Sequence, residues 1–280
     1  MRRSGVRIPY SPLRQSGFSS AAVKRDEVKI MGKIAAERNS NLEWLPPWTR
    51  LEHQARYDFA ARFVFGKRVV DCACGTGIGS VLFASKGATE VCAIDSSAAA
   101  LAEARKANTR SNLQITLGDA TRTELPDGFA DVFISLETIE HVEDDLAFIE
   151  EAFRVLKPGG TFICSTPNRE ITNPGTFITD TPWNPHHIRE YNLDEFRLRL
   201  ESRFEIEGVY GQNPVRPRHA QRMRRLAERT RPAWVIKINK LLKCRWFLMP
   251  SPKHHAVRPV LNKLEYEFYL LVCRRPKRAG

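Results

Sequence analysis

From residue 42 the chain settles into a regular alternation of apolar and polar positions. LEWLPPWTRLEHQARYDFAARFVFGK opens on a Pro-broken entry and then places Leu51, Ala55, Phe59 and Phe63 in helical register. The spacing predicts a helix over roughly 50–64, with Gly66 as its stop. The β-branched run Arg68-Val69-Val70-Asp71 predicts a strand that ends on an acid. Cys74-Gly75-Thr76-Gly77-Ile78-Gly79 then turns the chain into an Ala/Leu/Phe helix over about 79–86.

The same rhythm repeats downstream. EVCAIDSS (90–97), LQITLGDA (113–120) and ADVFISLE (130–137) predict strands two to four, with helices over 98–108 and 144–156. LKPGGTFICSTPN (156–168) turns through Pro158-Gly159-Gly160 into a fifth strand. Strands alternating with helices predict a parallel doubly wound sheet, whose ligands bind at the carboxyl ends of the strands.

Composition narrows the class. With 280 residues, 42% hydrophobic and 27% charged, the chain is long enough for a large core and is not disordered by composition. No run of about 18 apolar residues predicts a transmembrane helix, and the N-terminus lacks the apolar block of a secretory signal, so a cytoplasmic protein is expected. The six cysteines include no C-x-x-C pair and read as reduced thiols, mostly core. The net charge of +12 divides into +5 over 1–30, −8 over 31–211 and +15 over 212–280. Basicity belongs to the ends, so the isoelectric point alone does not make this a nucleic-acid binder.

A glycine-rich strand-to-helix turn fits a plain structural turn, a nicotinamide dinucleotide site or an S-adenosylmethionine site. Read as G-x-G-x-x-G, the motif has Gly75 and Gly77, but Ser80 stands where the third glycine belongs. Asp95 ends the second strand eighteen residues beyond Gly77, placed to meet ribose hydroxyls at the same crevice. From VVDCACGTGIGS through CAIDSS, LGDA, ISLETIEHV and RVLKPGGTFICSTPN, the chain resembles the class I S-adenosylmethionine-dependent methyltransferases, over roughly residues 50–211 plus the last strand.

The resemblance implies S-adenosylmethionine as cofactor. Asp71, Ala73, Gly75 and Gly77 would line its methionine end, Asp95 and Ser96 would meet the ribose, Asp119 and Ala120 would frame the adenine, and Glu137 would contact the cofactor. It also implies a seven-stranded Rossmann-like sheet with an antiparallel seventh strand. FEIEGVYGQ (204–212) and YEFYLLVCRR (266–275) fit strands six and seven, with residues 213–262 as a basic helical lid or insert in one domain over 42–280.

Three ionisable residues gather in SLETIEHV (135–142). A helical turn after Ser135 would put Glu137, Glu140 and His141 on one face. The run resembles the metal-binding segment of ubiquinone-type O-methyltransferases and of small-RNA 3′-end 2′-O-methyltransferases, which implies a site for Mg²⁺, Mn²⁺ or Zn²⁺ on Glu137, Glu140 and His141, completed by His186 or His187. Two other readings stay open: a metal-free catalytic or substrate-orienting role for His141, Glu140 and His187, and a purely structural one. Adjacent His186 and His187 point apart in an extended segment, so one of them faces the pocket. His53, Arg56 and Tyr57 on the first helix, with Arg189 and Tyr191, are expected at the acceptor or cofactor.

STPNR (165–169) and NPHHIREYNLDEF (184–196) are similar to a bacterial subgroup met near genes for surface sugars. The favoured expectation is O-methylation of a small-molecule, glycan or lipid-linked acceptor. The alternatives are a metal-assisted RNA 2′-O-methyltransferase and a cofactor-binding protein without transferase activity. Trp234, Ile238, Leu241, Leu242 and Trp246 share a helical face within 234–249, the pattern of an interfacial helix, which would bring the protein to the inner face of a membrane; packing of that face on the sheet competes. Residues 1–41 are expected to be a disordered extension, and GVRIP, which matches a translated transfer-RNA T-arm, suggests a true start at Met31. An Arg- and Ser-rich transit peptide competes, although Pro9 and Pro12 interrupt its helix.

Overall fold

A computed structural model describes residues 48–215, 255–261 and 264–277. The expectations for the N-terminal extension and for the amphipathic run 234–249 lie outside the described residues, as does most of the basic insert.

The strands are β1 (Arg68–Cys72), β2 (Glu90–Asp95), β3 (Leu113–Leu117), β4 (Ala130–Leu136), β5 (Leu156–Pro167), β6 (Glu205–Val215), β7 (Arg258–Pro259) and β8 (Glu265–Arg274). They form one sheet in the order β3-β2-β1-β4-β5-β8-β6-β7. The first five are parallel to one another, while β8 runs antiparallel between β5 and β6. The sequence predicts seven strands; among the described residues the sheet has eight, because β7 adds a two-residue edge pairing opposite Tyr210 and Gly211. Strand β6 also runs through Val215, so residues 213–215 belong to the sheet rather than to an insert.

The helices are α1 (Trp48–Ala60), α2 (Ile78–Ser85), α3 (Ala98–Ala107), α4 (Asp145–Val155), α5 (Arg169–Thr172) and α6 (Leu193–Glu201). Alternate side chains of each strand enter opposite cores, as the period of two requires. On one face Val69, Val91, Val132 and Ile163 pack with Phe59 of α1, Phe83 of α2 and Leu101 of α3. On the other, Val70, Cys92, Phe133 and Phe162 pack with Phe148 and Ile149 of α4 and Phe196 and Leu200 of α6. Both faces are covered, which explains why the central strands read as continuous apolar runs. Helix α6 starts on a capping box, Asn192 with Glu195, a signal present in the sequence.

Parallel strands end on the same edge, and β1 and β4 are neighbours there. Ser135 Oγ donates to the Cys72 carbonyl at 2.9 Å, so the glycine-rich turn and SLETIEHV leave the sheet side by side. Among the described residues, no helix is long and apolar enough to cross a membrane.

Candidate active site

Beyond β1, Ala73, Gly75 and Gly77 all have φ between 57° and 76°. Glycine takes this left-handed conformation cheaply, whereas alanine is strained in it, and such strain collects at functional sites. At Gly77 a Cβ would also meet Ala104 Cβ at 2.9 Å. The turn is pinned from the side: Asp95 accepts from the Gly75 N–H at 2.7 Å and from the Ser97 N–H at 2.8 Å. Gly77 precedes α2 without a side-chain cap, and the buried Thr76 Oγ1 has no hydrogen-bond partner. An orphaned buried hydroxyl in this glycine turn fits a polar ligand.

Asp71 is fully buried, accepts from Ser80 Oγ at 2.5 Å, and has its pKa raised to about 7 by burial, with Ser80 opposing and the Asp95 charge adding to the rise. At the end of β3, Asp119 is exposed, and hydrogen bonds from the Thr121 hydroxyl and N–H at 2.6 and 2.7 Å hold its carboxyl below the usual range. Ser96 is exposed and Ala120 is half-buried against the core.

SLETIEHV does not form the α-helical face that its spacing predicts. Glu137 comes off β4 with φ 56°, and only Ile139–His141 make a 3-10 turn. Glu137 makes contacts of its own: its Oε1 accepts from Ser165 Oγ at 2.7 Å and lies 3.8 Å from Arg56 Nε. Glu140 is 1% exposed; Oε2 accepts from Thr166 Oγ1 at 3.1 Å, and Oε1 has no partner. Burial, reinforced by the Glu137 charge, pushes its carboxyl well above the ordinary range.

His141 is exposed along one edge, and Nδ1 meets the His186 carbonyl at 2.7 Å, which commits the ring proton to Nδ1. Its partial burial lowers its pKa, and the hydrogen bond to His186 opposes that. The His187 ring stands edge-to-face to it, centroids 4.8 Å apart. The segment carrying both later histidines is fastened to the turn: the Ile188 N–H donates to the Glu140 carbonyl at 2.8 Å, and Arg189 donates to the carbonyls of Val142 and Glu143 at 2.9 and 2.5 Å. Glu140, His141 and His187 each bring one donor atom to within 4.8 Å of the others.

This group replaces the predicted trio, with His187 in place of Glu137. Of the histidine pair, His187 joins the cluster, and exposed His186 contributes its carbonyl.

The substrate-side expectations fare unevenly. Tyr191 is fully buried, donates to Asp145 Oδ2 at 2.6 Å and packs on Phe196, so it is a core residue that no acceptor reaches. Arg56 is 1% exposed, donates to Gln212 Oε1 at 2.5 Å and lies over the Phe268 ring at 4.4 Å; it links α1 to the antiparallel strands and to Glu137 rather than facing an acceptor. Tyr57 packs its ring on Phe83, against Gly79, where a Cβ would fall 2.2 Å from it, and His53 is half-buried on α1. Thr76, Asn184 and Glu190 were not among the expected site residues. The Asn-Pro pair at 184–185 and the charged Arg-Glu beside Tyr191 are the sequence signals that mark the last two.

A doubly wound sheet with a strained glycine turn, an acid at the end of β2 and an antiparallel β8 defines a nucleotide-cofactor enzyme of the methyltransferase class. Residues 70–164 match the methyltransferase domain model. A probable S-adenosylmethionine-dependent methyltransferase of Mycolicibacterium smegmatis is 39% identical over 165 residues, 59% of this chain and 62% of that protein. One of Mycobacterium tuberculosis is 31% identical over 193 residues, 69% of this chain and 68% of that protein.

A ubiquinone biosynthesis O-methyltransferase of Pseudomonas fluorescens is 42% identical over 118 residues, 40% of this chain and 48% of that protein. A solved S-adenosylmethionine-dependent methyltransferase of Mesorhizobium loti shares the fold, with TM-score 0.53 and 21% identity over 80% of this chain and all of that one. The chain thus spans about half to two thirds of the curated relatives it matches. It belongs to the S-adenosylmethionine-dependent methyltransferases.

Proposed function

We propose that this methyltransferase acts on an oxygen of a small-molecule, glycan or lipid-linked acceptor, with His141 as the base and Glu140 and His187 beside it. One observation carries the reading: Glu140, His141 and His187 cluster where β4 leaves the sheet, next to the glycine-rich turn at the end of β1. The O-methyltransferase name of the Pseudomonas relative supports oxygen as the acceptor atom.

S-adenosylmethionine, when bound, supplies an electrophilic sulfonium methyl for in-line transfer. The turn Ala73–Gly77 with Thr76 and Asp71 would hold its methionine end, Asp95 and Ser96 its ribose, and Asp119 and Ala120 its adenine. The protein's own work is positioning and proton removal. His141 carries its proton on Nδ1, against the His186 carbonyl, so Nε2 is the atom that takes the acceptor's proton. Glu140, whose carboxyl burial pushes toward the neutral form, braces the turn beside it through Thr166.

A second reading is favoured by the orphaned Glu140 Oε1. One carboxylate and two imidazoles fit Mg²⁺, Mn²⁺ or Zn²⁺, with His187 Nε2 giving up the Asn184 amide for the ion, and an ion there would polarise the acceptor hydroxyl. Binding would expel the Glu140 proton, so affinity would rise with pH. Labelled methyl transfer into fractionated host extract, with and without chelator, tests both. Alkali-stable label in a lipid or glycan fraction, unaffected by chelator, supports the first; chelator-sensitive label supports the ion. Label in RNA would point to the 2′-O-methyltransferase alternative, and label only in protein would overturn the acceptor class.

A further inference from the structure

We propose that Glu190 is a positioning residue that locks the tautomer of His187 and, through the 184–187 turn, the reacting nitrogen of His141. The inference rests on the reading of His141 as base, but its own evidence is the hydrogen bonding of a group outside the reacting cluster.

Glu190 is 2% exposed, and both oxygens are used. Oε1 lies 2.5 Å from His187 Nδ1, and Oε2 accepts from the Asn173 amide, with the Thr172 hydroxyl also against it. The Asn173 amide cannot turn over, because the Trp183 N–H donates to its Oδ1 at 2.6 Å. Asn173 therefore always presents a donor, and Glu190 must accept on both sides. His187 consequently carries its proton on Nδ1.

The other ring nitrogen is specified independently. His187 Nε2 lies 2.8 Å from Asn184 Nδ2, and that amide is also oriented, since the His186 N–H donates to Asn184 Oδ1 at 3.1 Å. Asn184 thus gives a donor to Nε2, which must be the unprotonated nitrogen. Two backbone N–H groups, acting through two asparagines, select one tautomer from opposite ends.

With both nitrogens engaged, His187 anchors the turn, and the anchored turn aims the His186 carbonyl at His141 Nδ1, 2.7 Å away. That contact is what leaves His141 Nε2 as the basic atom.

Glu190→Gln breaks the scheme with almost no change in shape. Glutamine accepts on one oxygen only, and Asn173 claims it, so the glutamine NH₂ faces His187 Nδ1 and the tautomer inverts. His187 then carries Nε2–H against the Asn184 NH₂, and the turn loosens. Asn184→Asp, at an exposed position, makes a complementary change: it keeps an acceptor for the His186 N–H but replaces the amide donor at Nε2 with a second acceptor, so the selection of an unprotonated Nε2 is lost.

Long-range ¹H–¹⁵N imidazole spectra of wild type, Glu190→Gln and Asn184→Asp read the lock directly, with S-adenosylmethionine-induced thermal stabilisation as the folding control. The expected result is an Nδ1–H His187 in the wild type, an inverted tautomer in Glu190→Gln and a mixture of tautomers in Asn184→Asp. Methyl transfer by Glu190→Gln should fall about 10–100-fold in kcat with cofactor affinity retained, the usual scale for an outer partner of a functional histidine. Unchanged His187 spectra in both variants would overturn the proposal. Should His141→Ala retain full activity while the spectra shift as described, the lock stands and the assignment of His141 as base falls.

Discussion

His141 Nδ1 lies 2.7 Å from the carbonyl oxygen of His186, forty-five residues away, and this contact decides which nitrogen of His141 is basic. Burial favours the neutral ring, so His141 in the proposed role of base would act below the pH at which a free histidine would. A base is active when unprotonated. Activity should therefore rise with pH along a limb whose midpoint falls below the ordinary value near 6.5, measured as kcat/KM against pH. A limb above 7 would assign it to another group.

Glu140 should be a residue kept at the expense of stability. Its folded pKa lies well above the unfolded value, so the native state holds a proton that the unfolded chain releases, and stability falls as pH rises above the ordinary glutamate range. Glu140→Gln removes that penalty. Melting temperature at pH 7 should rise relative to wild type while methyl transfer falls; a drop in melting temperature would mean that the charge is paired in solution.

Asp71 obeys the same sign. Its pKa rises from 3.8 to about 7 on burial, so its contribution is harmless below about pH 4, grows through that interval and is fully unfavourable above pH 7. A shift of this size corresponds to a penalty on the order of 4 kcal/mol. Asp71→Asn should flatten the decline in unfolding free energy between pH 4 and 7, compared by urea titration with the wild type. Parallel curves would show that Asp71 is ionised in the native state.

Gly79 makes room for Tyr57. An alanine Cβ would lie 2.2 Å from that ring, so Gly79→Ala must push α1 away from α2, at a cost of about 1–3 kcal/mol. Chemical denaturation checks this, and the loss should shrink when Tyr57→Ala is combined with it. Equal losses in both backgrounds would place the strain elsewhere.

Most of the fold was legible because the central parallel strands are buried on both faces and the helices that cover them on one, so periodicity carries the topology. The glycine turn after β1 was legible for a related reason: a glycine cluster between a strand and a helix marks a sharp turn with left-handed backbone. The acceptor side was harder. Local spacing put Glu137 with Glu140 and His141, but the left-handed backbone at Glu137 and its bond to Ser165, on the neighbouring strand, give it contacts of its own. Tyr191 looked like a loop aromatic, yet the start of α4 offers it Asp145, and it is buried. Such outcomes depend on partners tens of residues away, which no spacing rule encodes. The β7 pairing was missed because two residues carry no periodicity.

The central claim is that Glu140, His141 and His187 form the reacting end of a methyltransferase site. Its most direct test is labelled methyl transfer from saturating S-adenosylmethionine by wild type and His141→Ala into the acceptor fraction that the wild type labels, with cofactor affinity measured in parallel. The account predicts equal cofactor binding and a loss of about 10²–10⁴ in transfer rate for His141→Ala. Undiminished transfer by His141→Ala would contradict it.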